Sequence, residues 1–160
     1  MTAWCGRLLL GMTLGSNALA HSPAPLPENE ALVVERISKH VYVAHGPQEF
    51  PNPRTAGFMN NPGFLITGGG VVVVDPGSSV QIGRRLLRSI SATTDQPVVA
   101  VFNTHVHGDH WLGNHAIRES YPDARIYAHQ RMLQHVAEGA GKKRKFLFSR
   151  LTRGVLTGPR

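Results

Sequence analysis

Seven consecutive residues, Thr104-His105-Val106-His107-Gly108-Asp109-His110, constrain this chain more than any other stretch. Three imidazoles and one carboxylate fall within six positions, and that mixture of nitrogen and oxygen donors suits zinc or a similar divalent ion better than calcium or magnesium. Directly before it, Val98, Val99, Ala100, Val101 and Phe102 form an apolar run of the kind that makes a fully buried strand. The cluster therefore falls where a strand ends. With the backbone extended through His105 and His107, an i, i+2 pair projects from one side toward a single ion. Gly108 then lets the chain turn without steric cost, and Asp109 and His110 arrive from a new direction. A polar loop of solvent-facing histidines is the plain alternative, and structural context decides between the two.

The chain around the cluster reads as alternating strands and helices. Val33 to Ile37 and Val41 to Ala44 are expected as short strands about a turn at Ser38-Lys39-His40, with His40 and His45 on the surface. Residues 46–62 carry four prolines and three asparagines and form a loop, whose Phe50, Phe58 and Met59 either pack onto the domain, the preferred reading, or act as a lid. Gly63 to Thr67 and Val71 to Val74 are strands joined through Gly68-Gly69-Gly70. That glycine run leads into a strand rather than a helix, so a hairpin turn is favoured over a phosphate cradle. Val80 to Ser91 fits an amphipathic helix with Ile82, Leu86 and Ile90 on one stripe and Arg84, Arg85 and Arg88 on a solvated face. A short helix over Asn114 to Glu119, a strand over Arg125 to Ala128 and a helix around Met132, Leu133 and Val136 follow, the last ending at Gly139-Ala140-Gly141. His115, His129 and His135 are isolated and make weak candidates for further ligands.

The H-x-H-x-D-H pattern of His105, His107, Asp109 and His110 resembles the signature of the metallo-β-lactamase superfamily, and Val71 to Gly77, reading V-V-V-V-D-P-G, looks like that family's earlier strand with its Asp. The resemblance implies an α/β fold, the N-terminal part of an αββα sandwich, with metal at one edge of the sheets. It also implies a hydrolase whose metal-activated hydroxide attacks an ester, thioester, lactone or β-lactam-like bond of a small-molecule substrate. His105 and His107 would hold a first Zn2+, Asp109 and His110 a second, and Asp109 would serve in catalysis by accepting and passing a proton. Asp75 is either a simple turn residue or, as the resemblance suggests, a buried carboxylate steadying the metal loop. Family members draw further ligands from a second half, and no spaced His-Asp element follows His110. Residues 31–160 are thus expected as a domain incomplete at its C-terminus. A truncated, non-catalytic metal-binding fragment is the alternative, and a superfamily nuclease a weaker one.

Charge and the N-terminus refine the picture. The formal charge of +7 is concentrated after Glu138, where Lys142, Lys143, Arg144, Lys145, Arg150, Arg153 and Arg160 meet no acid, so the body is near neutral and no nucleic-acid partner is expected. Phe146-Leu147-Phe148 among these cations suggests a helix that belongs against the absent half. Residues 1–20, with Arg7, an apolar stretch from Leu8 and Ala18-Leu19-Ala20, read as a signal peptide that takes the only cysteine, Cys5, with it. The stretch is shorter than the about 20 residues that span a bilayer, so no membrane span is expected after cleavage. Residues 21–30 form a proline-rich linker. A periplasmic or secreted location follows. With Asn60-Asn61-Pro62-Gly63-Phe64 and the run from His107 to Asn114, it gives a resemblance to exported hydrolases associated with quinoproteins.

Overall fold

The computed structural model describes residues 29–152. The signal peptide, nearly all of the linker and the last eight residues lie outside them. Six strands form one mixed sheet in chain order: β1 (Val34–Arg36), β2 (Val41–Ala44), β3 (Gly63–Thr67), β4 (Gly70–Val74), β5 (Val98–Asn103) and β6 (Arg125–Ala128). The first four pair antiparallel, and β4, β5 and β6 run parallel. Parallel neighbours need crossovers, which α1 (Val80–Thr93) and α2 (Asn114–Ser120) supply. After β6 come α3 (Gln130–His135), a π-helical turn (Val136–Ala140) and α4 (Gly141–Leu151). This is the α/β layer expected. No helix among the described residues is long and apolar enough to cross a membrane.

The core lies between one sheet face and α1 and α2. Phe64, Val71, Val73 and Val101 point into it and meet Ile82, Leu86 and Ile90 of α1 and Ala116 and Ile117 of α2. The apolar stripe read on α1 is thus the buried one, and Ser79 caps the helix by accepting a hydrogen bond from Ile82 N at 3.2 Å. Gly83 is the tight point between the two helices. A Cβ there would stand 2.6 Å from the Gly113 carbonyl oxygen and 2.9 Å from Ala116 Cβ. Gly83→Ala, normally a gain inside a helix, is therefore expected to destabilise the fold by about 1–3 kcal/mol through overpacking. Urea denaturation checks it, with Gly68→Ala, where nothing lies within 4 Å, as the silent control.

Two sequence expectations are corrected here. The run Val98 to Phe102 is not a fully buried strand, because Val99 and Phe102 are 36% and 46% exposed. Only one face of β5 is covered among the described residues, and on the other Phe102 stacks on the neighbouring Tyr127 at 4.9 Å. Nor do all three arginines of α1 face water. Arg88 is exposed and Arg84 pairs with Glu119 at 2.9 Å, but Arg85 is buried, its Nε donating to the Glu30 carbonyl at 3.0 Å. The incoming chain is laid along α1 there: Leu32 N donates to the Arg85 carbonyl and Ser89 Oγ donates to the Leu32 carbonyl. Burial lowers the Arg85 pKa. The loop of residues 46–62 packs as preferred at Phe58, which is 5% exposed, while Phe50 stays in solvent.

Candidate metal centre

Asp75 organises the site. It ends β4 with φ +51°, a left-handed conformation that Asp tolerates better than most side chains. Its N–H donates to the Phe102 carbonyl at 2.9 Å and its own carbonyl accepts from Asn60 Nδ2 at 3.1 Å. The carboxylate then reaches into the loop after β5. Thr104 N donates to Oδ1 at 2.8 Å, Thr104 Oγ1 donates to Oδ2 at 2.7 Å, and His110 Nδ1 lies 2.7 Å from Oδ2. Burial pushes the Asp75 carboxyl upward, but the hydrogen bonds from His110 and Thr104 outweigh it and hold the pKa below its ordinary value. Of the two readings of Asp75, the buried carboxylate is the one observed.

That anchor fixes ring tautomers. Thr104 Oγ1 spends its single proton on Asp75, so toward His105 Nδ1, 2.9 Å away, it acts as acceptor. His105 therefore carries its proton on Nδ1 and presents a lone pair at Nε2, the arrangement a metal ligand needs. Burial, then the neighbouring His110 and His107, lower the His105 pKa and favour this neutral form.

His110 is held differently. Its Nε2 lies 3.1 Å from Asp109 Oδ2 while Nδ1 faces Asp75, so the ring sits between two carboxylates. Burial works against the charged ring, yet the hydrogen bonds to Asp109 and Asp75 raise its pKa to about 9. Asp109 is half-buried, which raises its pKa, but the contact with His110 brings it below the ordinary value.

Among the four sequence-derived donors, His105 lies beside the exposed His107 and beside His110, and Asp109 contacts His110. The His105 ring centroid stands 4.7 Å from that of His107 and 4.0 Å from that of His110. The route differs from expectation before His105 and agrees with it at Gly108. β5 stops at Asn103, so a loop rather than an extended strand brings His105 beside His107. Gly108 opens a 3-10 turn (Gly108–His110), the turn expected there, and a side chain on it would meet Leu112 Cδ1 at 3.0 Å. Trp111 ties the loop down by donating from Nε1 to the Val106 carbonyl at 3.0 Å.

The donor chemistry, imidazole nitrogen with carboxylate oxygen, fits a zinc-type ion. As the side chains stand, no three donors among the described residues converge to hold an ion. His115 pairs with Glu119 at 3.2 Å, His129 caps α3 by accepting from Arg131 N, and His135 lies 3.6 Å from Glu138, so none of the three joins the cluster. His45 pairs with exposed Glu35 at 2.8 Å. Sequence reasoning gave no role to Thr104, which the Asp75 carboxylate holds, or to Asn60, which donates to the Asp75 carbonyl.

The family described as "Metallo-beta-lactamase superfamily" matches residues 56–159. A linear primary-alkylsulfatase of Pseudomonas sp. (strain ATCC 19151) is 31% identical over 94 residues, 56% of this chain and 15% of its own length. A hydroxyacylglutathione hydrolase of Synechococcus sp. (strain JA-2-3B'a(2-13)) is 41% identical over 58 residues, 36% of this chain and 21% of its own. Among solved structures, a metallo-beta-lactamase from Pontibacter korlensis superposes with a TM-score of 0.57 at 23% identity, covering 68% of this chain and 48% of that one. The matches span less than a quarter of the curated relatives and about half of the solved structure.

Proposed function

The chain belongs to the metallo-beta-lactamase superfamily, and from that membership we propose that it is a zinc-dependent hydrolase of an ester, thioester, lactone or β-lactam-like bond in a small molecule. The observation that supports this reading is the adjacency of the His105, His107 and His110 rings, with Asp109 against His110 and the buried Asp75 carboxylate holding His110 and Thr104. His105, His107, Asp109 and His110 would hold the metal. When bound, a divalent ion of this kind acidifies water and polarises the bond to be broken. A catalytic zinc takes about three protein ligands, so the donors beyond each pair, His105 with His107 and Asp109 with His110, would come from outside the described residues.

The chain's own residues supply the rest. His105 offers Nε2 because Thr104 holds the proton on Nδ1. Asp109, ionised at neutral pH, is placed to accept a proton at its carboxylate and return it to the leaving group. Asp75 orients His110 and Thr104. Residues 1–20 support export to the periplasm or beyond. The two curated relatives are named for a sulfatase and a hydrolase activity, which favours an enzyme over a non-catalytic metal-binding fragment and does not suggest a nuclease. Neither name concerns a quinoprotein system, and that finer placement rests on the sequence segments alone.

The test is zinc content and turnover on a panel of p-nitrophenyl ester, thioester, lactone and β-lactam substrates, using the full chain. Turnover lost on metal removal, restored by zinc and reduced about 10–100-fold in His110→Ala is expected, as for disturbance of a metal ligand set. Zinc-independent turnover, or none on any substrate with zinc bound, overturns the proposal.

A further inference from the structure

We infer that Arg144 is the residue through which this site recognises an anionic group of its substrate, a contact that sets specificity rather than chemistry. The inference rests on the hydrolase reading above. α4 begins against the metal loop, where a Cβ on Gly141 would stand 3.3 Å from Trp111 Cη2. One turn later it sets Arg144 Cβ 3.5 Å from the position a Gly108 side chain would take, and Gly108 lies between the donors His107 and Asp109. Arg144 is thereby placed in van der Waals range of the donor loop.

The electrostatics of this approach need a reason. Lys142, Lys143, Arg144 and Lys145 crowd the first turn of α4, no acid follows Glu138, and Glu138 faces His135. Cations beside a site for a divalent cation weaken metal binding through like-charge repulsion. An anionic substrate reverses the sign, since it is drawn to the metal and to the basic turn together. Lys142 and Lys143 are exposed, whereas Arg144 is half-buried against the loop. Arg144 makes no hydrogen bond or ion pair among the described residues. Its planar fork suits two oxygens of a sulfate or a carboxylate, the shared chemistry being an oxyanion. Arg150, at the other end of the helix, lies over the Phe146 ring at 5.8 Å and serves as the control cation.

Inorganic sulfate and acetate are the probes, titrated at fixed ionic strength into the full chain stripped of metal on a chelating resin, with backbone amide shifts of Gly108 and Asp109 as readout. Saturable shifts at these amides are expected, weakened at least tenfold in Arg144→Gln, about threefold in Arg144→Lys, which keeps charge without the fork, and less than twofold in Arg150→Gln. Tighter sulfate binding assigns a sulfate-bearing substrate and tighter acetate binding a carboxylate-bearing one. The inference is overturned if neither anion moves these amides, if Arg144→Gln binds both within twofold of the parent, or if Arg150→Gln weakens binding as much as Arg144→Gln. Circular dichroism confirms that the variants are folded. Zinc-dependent turnover of a neutral p-nitrophenyl ester without anion binding leaves the hydrolase standing and removes only this inference; anion binding at Gly108 without turnover does the reverse.

Discussion

Asp75→Asn is expected to cost the metal-free protein about 3 kcal/mol at pH 7, the size of effect that follows when one partner of a buried charge pair is removed. Two donors meet at Oδ2, the Thr104 hydroxyl and His110 Nδ1–H. The amide is isosteric and tolerates the positive φ of this position. Yet it has one acceptor oxygen where the carboxylate has two, so its NH2 must face donors on one side. The charge opposite His110 also goes. The His110 pKa should therefore fall from about 9 while staying above the unfolded value near 6.5, because Asp109 still holds Nε2.

The sign of the pH dependence follows. A histidine raised in the folded state stabilises fully below its unfolded pKa and loses that contribution as pH rises through its folded pKa. Metal-free parent protein should thus lose about 3 kcal/mol between pH 6.5 and pH 9 and above, from the displacement of His110 to about 9. Asp75 and Asp109, both lowered, act at the opposite end, and their contribution disappears as pH falls through the acidic range. Urea midpoints at pH 6 and pH 9.5, with imidazole proton shifts to follow His110, read both effects. A parent midpoint that does not fall over this range, or an Asn variant with an unchanged His110 titration, would show that Asp75 does not hold the charged ring.

How much of this was legible beforehand depends on what fixes each residue. The Ile82, Leu86, Ile90 stripe announces α1 because burial of one face imposes a period on the sequence, and the valine runs of β4 and β5 announce strands as short β-branched apolar runs. The four donors were legible as a group because they are adjacent in sequence. Asp75 was ambiguous on its own residues, since Asp-Pro-Gly is also a turn, and only Thr104 and His110, far along the chain, make it a buried acceptor. Arg85 was misread because a helical stripe says which side is apolar and nothing about a chain segment laid across the polar side. The exposure of Phe102 was hidden for a related reason: five apolar residues in a row do not reveal whether the second face of a strand is covered. Arg144 was read only as part of a charged tail, and its place beside Gly108 depends on the break at Gly139, whose φ of +96° separates the turn after α3 from α4.

Asp109→Asn carries the largest expected effect, a loss of about 10²–10⁴ in kcat at saturating zinc, the range for removing a positioned general base. The side chain makes one side-chain contact that the fold uses, Oδ2 to His110 Nε2 at 3.1 Å, so the variant should fold. The amide keeps the shape and an acceptor oxygen but takes up no proton at neutral pH, and as a metal ligand it is the poorer donor. Zinc content separates these two losses. If the variant retains the parent's zinc and kcat alone falls, with KM little changed, Asp109 acts in proton transfer. If zinc is lost in proportion to activity, it acts as a ligand, and excess zinc should then restore much of the rate. Asp75→Asn provides the contrast, because it should weaken zinc binding by freeing His110 and Thr104 without touching the reacting atoms. An Asp109→Asn protein turning over within threefold of the parent at equal zinc content would leave the carboxylate with neither role, and the proton acceptor would have to be sought outside the donor cluster.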